Sequence, residues 1–300
     1  MKAARVTSWG SAPEYIDVPD LEAPSPGQVQ LKMLAVGVPR VVRGRAARKH
    51  PSAFNAELPF DPSLDGVGVD EATNERYFVT PFAGALLAER VNVNQNQLVK
   101  LDPAADPVTV AALANPASSS WLALQCRVVG GCKGRTVVIL GATSASGRLA
   151  AMVAQSLGAA RVVGLSRSED TLATVDGLDD RIVLTDPLVL PVDIGPVDIV
   201  LDYKAEVRPD ENLQYVQIGG LAGYESHVLP ARLINLKPIR IMGSGAGSVS
   251  RDEMKREVGG LVAAITSMKT PFGVFTAPLA EAHTVWDLED TEGKRLVLVP

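Results

Sequence analysis

The stretch of this chain best suited to chemistry is Val137-Val-Ile-Leu-Gly-Ala-Thr-Ser-Ala-Ser-Gly147. A β-branched run stops at a cluster of small residues, which opens onto a helical pattern over Arg148–Leu157. Such a turn aims backbone N–H groups and the positive end of a helix dipole at one point, where a pyrophosphate can sit. Ala142, Ser144 and Gly147 stand at the three glycine positions of the dinucleotide-binding pattern, with Thr143, Ala145 and Ser146 between them. Only the last of the three is glycine. The strand–turn–helix–strand context therefore carries the reading, and a tight turn without ligand is the plain alternative.

The end of the second strand decides which nucleotide. An NAD site places Asp or Glu there to accept from the ribose 2′-OH. Here the run Arg161–Leu165 ends in Ser166-Arg167-Ser168. A guanidinium pairs with a 2′-phosphate in bidentate fashion, and no carboxylate at that place repels it. NADPH is the expected cofactor; a solvated arginine is the alternative.

A hydride acceptor also needs donors for its developing negative charge and a source of protons. Arg43, Lys49 and His50 are the candidates, against the reading that Arg40–His50 is only a solvated basic face. As a nucleic-acid patch that run lacks interleaved aromatics and sits in a chain of net charge −5. Asn115 and Ser119 begin a helix that passes near the nicotinamide in proteins this chain resembles, with helix N-capping ahead of Pro116 as the competing role. His227 and His283 have no partner motif.

These residues need elements to hold them. Residues 1–110 read as short strands and turns, with strand character at Gln28–Val36, Arg76–Pro81 and Glu89–Val93. A Pro/Asp stretch then leads into a helix over Val108–Ala114. Beyond it, strands at Arg135–Leu140, Arg161–Leu165, Arg181–Leu184, Asp198–Leu201, Gln214–Ile218 and Ile239–Met242 alternate with helices, which predicts a doubly wound parallel sheet. Gly219 and Gly220, Ser244 and Gly245, and Tyr203 lie just past strand ends and complete the expected cofactor-contacting set. A helix over 252–268 and a last strand, Arg295–Val299, return to the first domain. The expected division is thus 1–110 with 252–300, and 111–251. Three hundred residues suit two domains. With 46% apolar and 21% charged residues the chain is a packed globular protein rather than a disordered one. The start of the chain lacks a signal-type apolar region and no run is long enough to span a bilayer, so a cytoplasmic location is expected, with neither membrane nor nucleic acid as partner.

Taken in order, several of these pieces resemble the medium-chain dehydrogenase/reductase superfamily in its zinc-free, quinone-oxidoreductase-like branch. They are Arg43-Gly-Arg-Ala-Ala-Arg-Lys-His50, Leu58-Pro with Asp65-Gly-Val-Gly68, Asn115-Pro-Ala-Ser-Ser-Ser-Trp121, the Gly141–Gly147 turn, Val216-Gln-Ile-Gly-Gly-Leu-Ala-Gly223, Ile241-Met-Gly-Ser-Gly-Ala-Gly-Ser248 and Gly293-Lys-Arg-Leu-Val-Leu. The resemblance implies an α/β protein: a GroES-like, mostly β catalytic domain with a Rossmann domain inserted before its last segment. It implies a metal-free, NADPH-dependent reductase of a quinone or activated C=C bond, and a homodimer paired through the strand Ile239–Met242. Cys126 and Cys132 are too few for the zinc ligand sets of metal-dependent relatives. A biosynthetic enoyl or carbonyl reductase, and a nucleotide-binding protein that no longer turns over, are the other readings. The chain departs from the family pattern at Ser144 in place of the middle glycine, at Pro62-Ser63 in place of the usual Pro-Gly, and in a connection from Asp202 to Gln214 too short for the usual crossover helix.

Overall fold

The computed structural model describes residues 1–185, 194–202, 213–219, 239–245, 247–288 and 294–300. Tyr203, Gly220, His227, the segment before Ile239 and the short connection after Asp202 lie outside the described residues. Two compact units are present, Met1–Asn115 with Val258–Pro300, and Pro116–Glu257. Each boundary falls inside a continuous helix, a turn or so beyond the limits at residues 110 and 252. A composition shift marks where such a helix begins, whereas packing divides it part-way along.

In the first unit, β1 (Lys2–Arg5) and β2 (Glu14–Asp17) form an antiparallel pair. Next come β3 (Gln28–Gly37), helix α1 (Arg40–Ala46), β4 (Gly66–Asp70), β5 (Glu75–Val79), β6 (Arg90–Asn94) and β7 (Leu98–Lys100). Along β3 the side chains of Leu31, Met33 and Ala35 are buried at every second position, as a strand with one face on the core requires. Leu31 and Met33 pack with Leu86, Leu87, Val91, Val93 and, from the end of the chain, Leu296 and Leu298.

The second unit is a doubly wound sheet. Its strands are β8 (Thr136–Leu140), β9 (Arg161–Ser166), β10 (Asp180–Val183), β11 (Ile199–Asp202), β12 (Gln214–Gln217) and β13 (Arg240–Gly243), in spatial order β10-β9-β8-β11-β12-β13 and parallel throughout. Val137, Val138 and Ile139 are fully buried on alternating sides, so both faces of β8 are covered. Each such side chain contributes about 1.5–3 kcal/mol of burial. Helix α3 (Ala145–Ser156) joins β8 to β9, and α4 (Glu169–Ala173) follows β9. The strand order reverses between β8 and β11, and this places a switch point at the carboxyl end of β8. The chain then closes the first unit with β14 (Val274–Pro278) and β15 (Arg295–Val299), giving a seven-stranded sheet that runs β14-β15-β3-β4-β5-β7 with β6 on β3.

One expectation is corrected. Asn115 does not cap a helix that starts at Pro116. Helix α2 runs unbroken over Pro107–Leu122, with Pro116 inside it. An interior proline removes one helical hydrogen bond. Here the flanking Val110, Ala111, Ala112, Leu113, Ala114 and Ala117 are buried almost completely, and that burial carries the helix through. The basic run begins as α1, a helix within the segment read as short strands and turns.

Candidate functional site

The turn after β8 is built from close contacts. Gly141 sits at φ 78°, the left-handed region that a glycine enters at no steric cost. A Cβ on Gly147 would lie 2.3 Å from the Gly141 carbonyl oxygen and 2.8 Å from the Ala142 Cα, so only glycine lets α3 start this near the strand. Ser144 is the N-cap of α3: its hydroxyl donates to the Gly141 carbonyl at 2.9 Å and accepts from the Gly147 amide at 3.0 Å. The Ala145 and Ser146 amides precede any possible helical acceptor and remain as donors at the helix entrance.

The second side of this cradle is the end of β9. Ser166 is buried, and its hydroxyl meets that of Thr143 at 2.9 Å, joining the turn to the strand end. Arg167 is exposed and makes no hydrogen bond or ion pair with any described residue. Arg148, which sequence reasoning passed over, donates from Nε to the Thr143 carbonyl at 3.2 Å and from both Nη atoms to Thr174 at 2.9 Å. Burial lowers its pKa from the ordinary arginine value.

The remaining strand ends lie in register beside the turn. Asp202 pairs with Leu140 across β11–β8, Gln217 with Asp202, and Gly243 with Gln217. Gly219 follows β12, its amide donating to the Asp202 carbonyl at 3.1 Å. Ser244 and Gly245 follow β13; Ser244 is buried, and the Gly245 amide donates to the Ser248 hydroxyl at 2.7 Å. The structure therefore brings together, at one carboxyl edge, all the described nucleotide candidates. It adds a pair without a sequence signature, Tyr215 donating its hydroxyl to the Asp202 carboxylate. Burial and that carboxylate push the Tyr215 pKa up.

The remaining candidates come from both units: Arg43, Lys49, His50 and Asn115 from the first, and Ser119 from the second. Arg43 holds its guanidinium 5.9 Å from the Trp286 ring centroid, and Lys49 is exposed. His50 turns to Ser52, its Nδ1 2.8 Å from the hydroxyl and accepting from the Ser52 amide at 3.3 Å. Burial, then the nearby Arg45 charge, lowers the His50 pKa. Ser119 donates its hydroxyl to the Pro116 carbonyl at 2.8 Å within α2, where Asn115 also lies.

Sequence reasoning also passed over the carboxylates of the first unit. Asp61 is held by the Arg5 guanidinium at 2.7 Å and by the Ser63 and Leu87 amides. Burial still raises its pKa. Asp65, one residue before β4, is buried with no partner for its Oδ1, and burial pushes its pKa up to about 7.

A doubly wound sheet with a phosphate-type turn at its switch point, in one chain with a mixed β unit, is a two-unit α/β architecture suited to holding a nucleotide. No protein-family profile matches the chain. It is 45% identical to the probable NADPH-dependent quinone reductase tdiC of Emericella nidulans over 355 aligned positions spanning all of both chains. That alignment is longer than the chain, so the chain carries internal gaps relative to this relative. An acryloyl-coenzyme A reductase of Metallosphaera sedula is 31% identical over 40% of the chain and 38% of its own length. Among solved structures, the quinone oxidoreductase of Thermus thermophilus superposes with a TM-score of 0.76 at 24% identity, covering all of both chains. An alcohol dehydrogenase of Pyrobaculum aerophilum superposes with a TM-score of 0.79 at 19% identity, covering all of this chain and 99% of its own. The chain belongs to the medium-chain dehydrogenase/reductase superfamily, in its quinone-oxidoreductase-like branch. Its α/β fold is the GroES-like and Rossmann pair of that superfamily.

Proposed function

We propose that the protein is an NADPH-dependent reductase that delivers a hydride to a quinone or an activated C=C bond without a metal. The observation that carries the cofactor is Arg167, an exposed guanidinium directly after β9, where an NAD site keeps an acid. The cradle suits a dinucleotide: Gly147 leaves backbone approach open, the Ala145 and Ser146 amides face a pyrophosphate, and Arg167 meets a 2′-phosphate. Gly219, Ser244 and Gly245 are the neighbouring backbone along which the rest of the cofactor lies. Bound NADPH supplies the hydride.

Arg43, Lys49 and His50 are the donors proposed for the acceptor's developing charge, with Asn115 and Ser119 as further candidates. In support of metal-free chemistry, the chain holds two cysteines. Among the described residues no group of three or more His, Cys, Asp or Glu side chains is placed to hold a metal. The 45% identity to a named quinone reductase over full length supports the substrate class. We infer a cytoplasmic homodimer as well. Among the described residues strand β13 is an edge strand with Ile241 42% exposed, which favours pairing over solvation, and no helix among them is long and apolar enough to cross a membrane. Loss of reduced-nicotinamide absorbance tests the function: steady consumption of NADPH with a simple quinone, and much slower consumption of NADH, is expected. Tight NADPH binding with no turnover on quinones, enones or enoyl thioesters would overturn the reductase reading.

A further inference from the structure

The first unit contains a second polar cluster that the cofactor does not require. Arg45, on α1, is 7% exposed, and its guanidinium lies between two phenyl rings, 5.3 Å from the Phe60 centroid and 5.1 Å from that of Phe82. Its Nε is buried with no hydrogen-bond partner. Its Nη1 reaches the Ser52 hydroxyl at 3.4 Å, and no acceptor meets Nη2 among the described residues. The nearest carboxylate, Asp61, already accepts from Arg5, the Ser63 amide and the Leu87 amide. A buried guanidinium with this little satisfaction is costly unless an acceptor arrives.

The polarity of the neighbouring bonds sharpens the case. His50 Nδ1 accepts from the Ser52 amide, so in the neutral ring the proton sits on Nε2. The Ser52 hydroxyl, 2.8 Å from that same Nδ1, then donates to it and accepts from Arg45. Every bond in the chain Arg45 → Ser52 → His50 thus runs one way. It leaves His50 Nε2–H and the Arg45 Nη2 hydrogens as donors without an acceptor among the described residues. Phe82, whose ring lies on the guanidinium, is 51% exposed. Phe82 holds φ 66°, a left-handed conformation that is strained for a bulky residue, so its half-exposed ring is kept on the guanidinium against a backbone cost.

We propose that Arg45, Ser52 and His50 form a recognition site for an anionic oxygen carried on a planar aromatic ring, the ring lying against Phe82. A ring carboxylate and an ionised ring hydroxyl share this chemistry. This site goes beyond the function given above and concerns the first unit by itself.

The test is calorimetric binding to the full chain, which is independent of turnover. Benzoate is compared with benzamide, and the anion of a hydroxynaphthoquinone with its methyl ether. At least one anion is expected to bind about tenfold more tightly than its neutral counterpart, the benefit of one charge-assisted contact. Arg45→Gln should abolish that preference and leave the neutral ligands and NADPH binding as they were. Because Arg45 is buried and its variant can fail to fold, His50→Phe is measured beside it. It removes the Nε2 donor at a half-buried position and should cost at least threefold for the anion alone. Preference for the carboxylate pair only, or for the hydroxyquinone pair only, identifies the source. No preference in either pair, or a preference that survives both substitutions in folded protein, overturns the proposal. Quinone reduction without anion preference would leave the reductase standing and refute this site; anion preference without reduction would do the reverse.

Discussion

Replacing Gly147 with alanine tests whether close approach, rather than flexibility, is what this position supplies. Two opposed effects act. Within a helix, Gly→Ala is favourable by about 0.8–1 kcal/mol. The new Cβ, however, would stand 2.3 Å from the Gly141 oxygen and 2.8 Å from the Ala142 Cα, both main-chain atoms that cannot rotate away. Relief requires α3 to back off from the turn, and overpacking of this kind costs about 1–3 kcal/mol. With immovable neighbours the upper part of that range applies, so the net expectation is a loss of about 1–2 kcal/mol. Gly259 is the control, in the helix Arg251–Ser267 with no atom within 4 Å of its Cβ position. Gly259→Ala should instead stabilise by about 0.5–1 kcal/mol. Denaturant midpoints of both variants, with NADPH titrations, give the answer. Retreat of α3 carries the Ala145 and Ser146 amides with it, so Gly147→Ala should also weaken NADPH at least tenfold while Gly259→Ala leaves it unchanged. Equal or raised stability of Gly147→Ala with normal NADPH affinity would refute the reasoning.

Other outcomes follow from the same geometry. Arg167→Ala should cost about 1.5–3 kcal/mol of NADPH binding and little of NADH binding, read by parallel titration; equal affinity for the two cofactors in the parent protein would sink the assignment. Ser144→Ala loses the α3 cap, about 1 kcal/mol, whereas Ser144→Gly costs only a few tenths and frees the Gly147 amide, so NADPH should bind the glycine variant at least as tightly as the parent. Asp65 has a folded-state pKa raised to about 7 by burial, above its ordinary value. The folded state then binds the proton more readily, and stability falls as pH rises from about 4 to about 7, by up to about 4 kcal/mol. Asp65→Asn should flatten that part of the stability–pH curve, and an unchanged slope would count against a buried, unpaired carboxyl. Chelator treatment should leave activity and Tm unchanged, and stoichiometric zinc by elemental analysis would contradict the metal-free proposal.

Local patterns carried much of this protein. The β-branched run over Val137–Ile139, the small-residue turn and the spacing of later strands define a doubly wound sheet because both faces of such strands must be apolar and each crossover needs its helix. Ser166-Arg167 indicates the nucleotide from charge and position alone. What the chain order cannot express is contact between distant residues. The path of α2 through Pro116 depends on the burial of the residues around it, a tertiary term larger than the local cost of proline. Asp61 finds Arg5 across 56 residues, and Tyr215 finds Asp202 only because β11 and β12 lie side by side. Arg45 looked like one more charge in a basic run. The fold alone buries it between Phe60 and Phe82, because ring stacking and desolvation depend on where α1 meets the strand-connecting loops and not on any periodicity of the sequence.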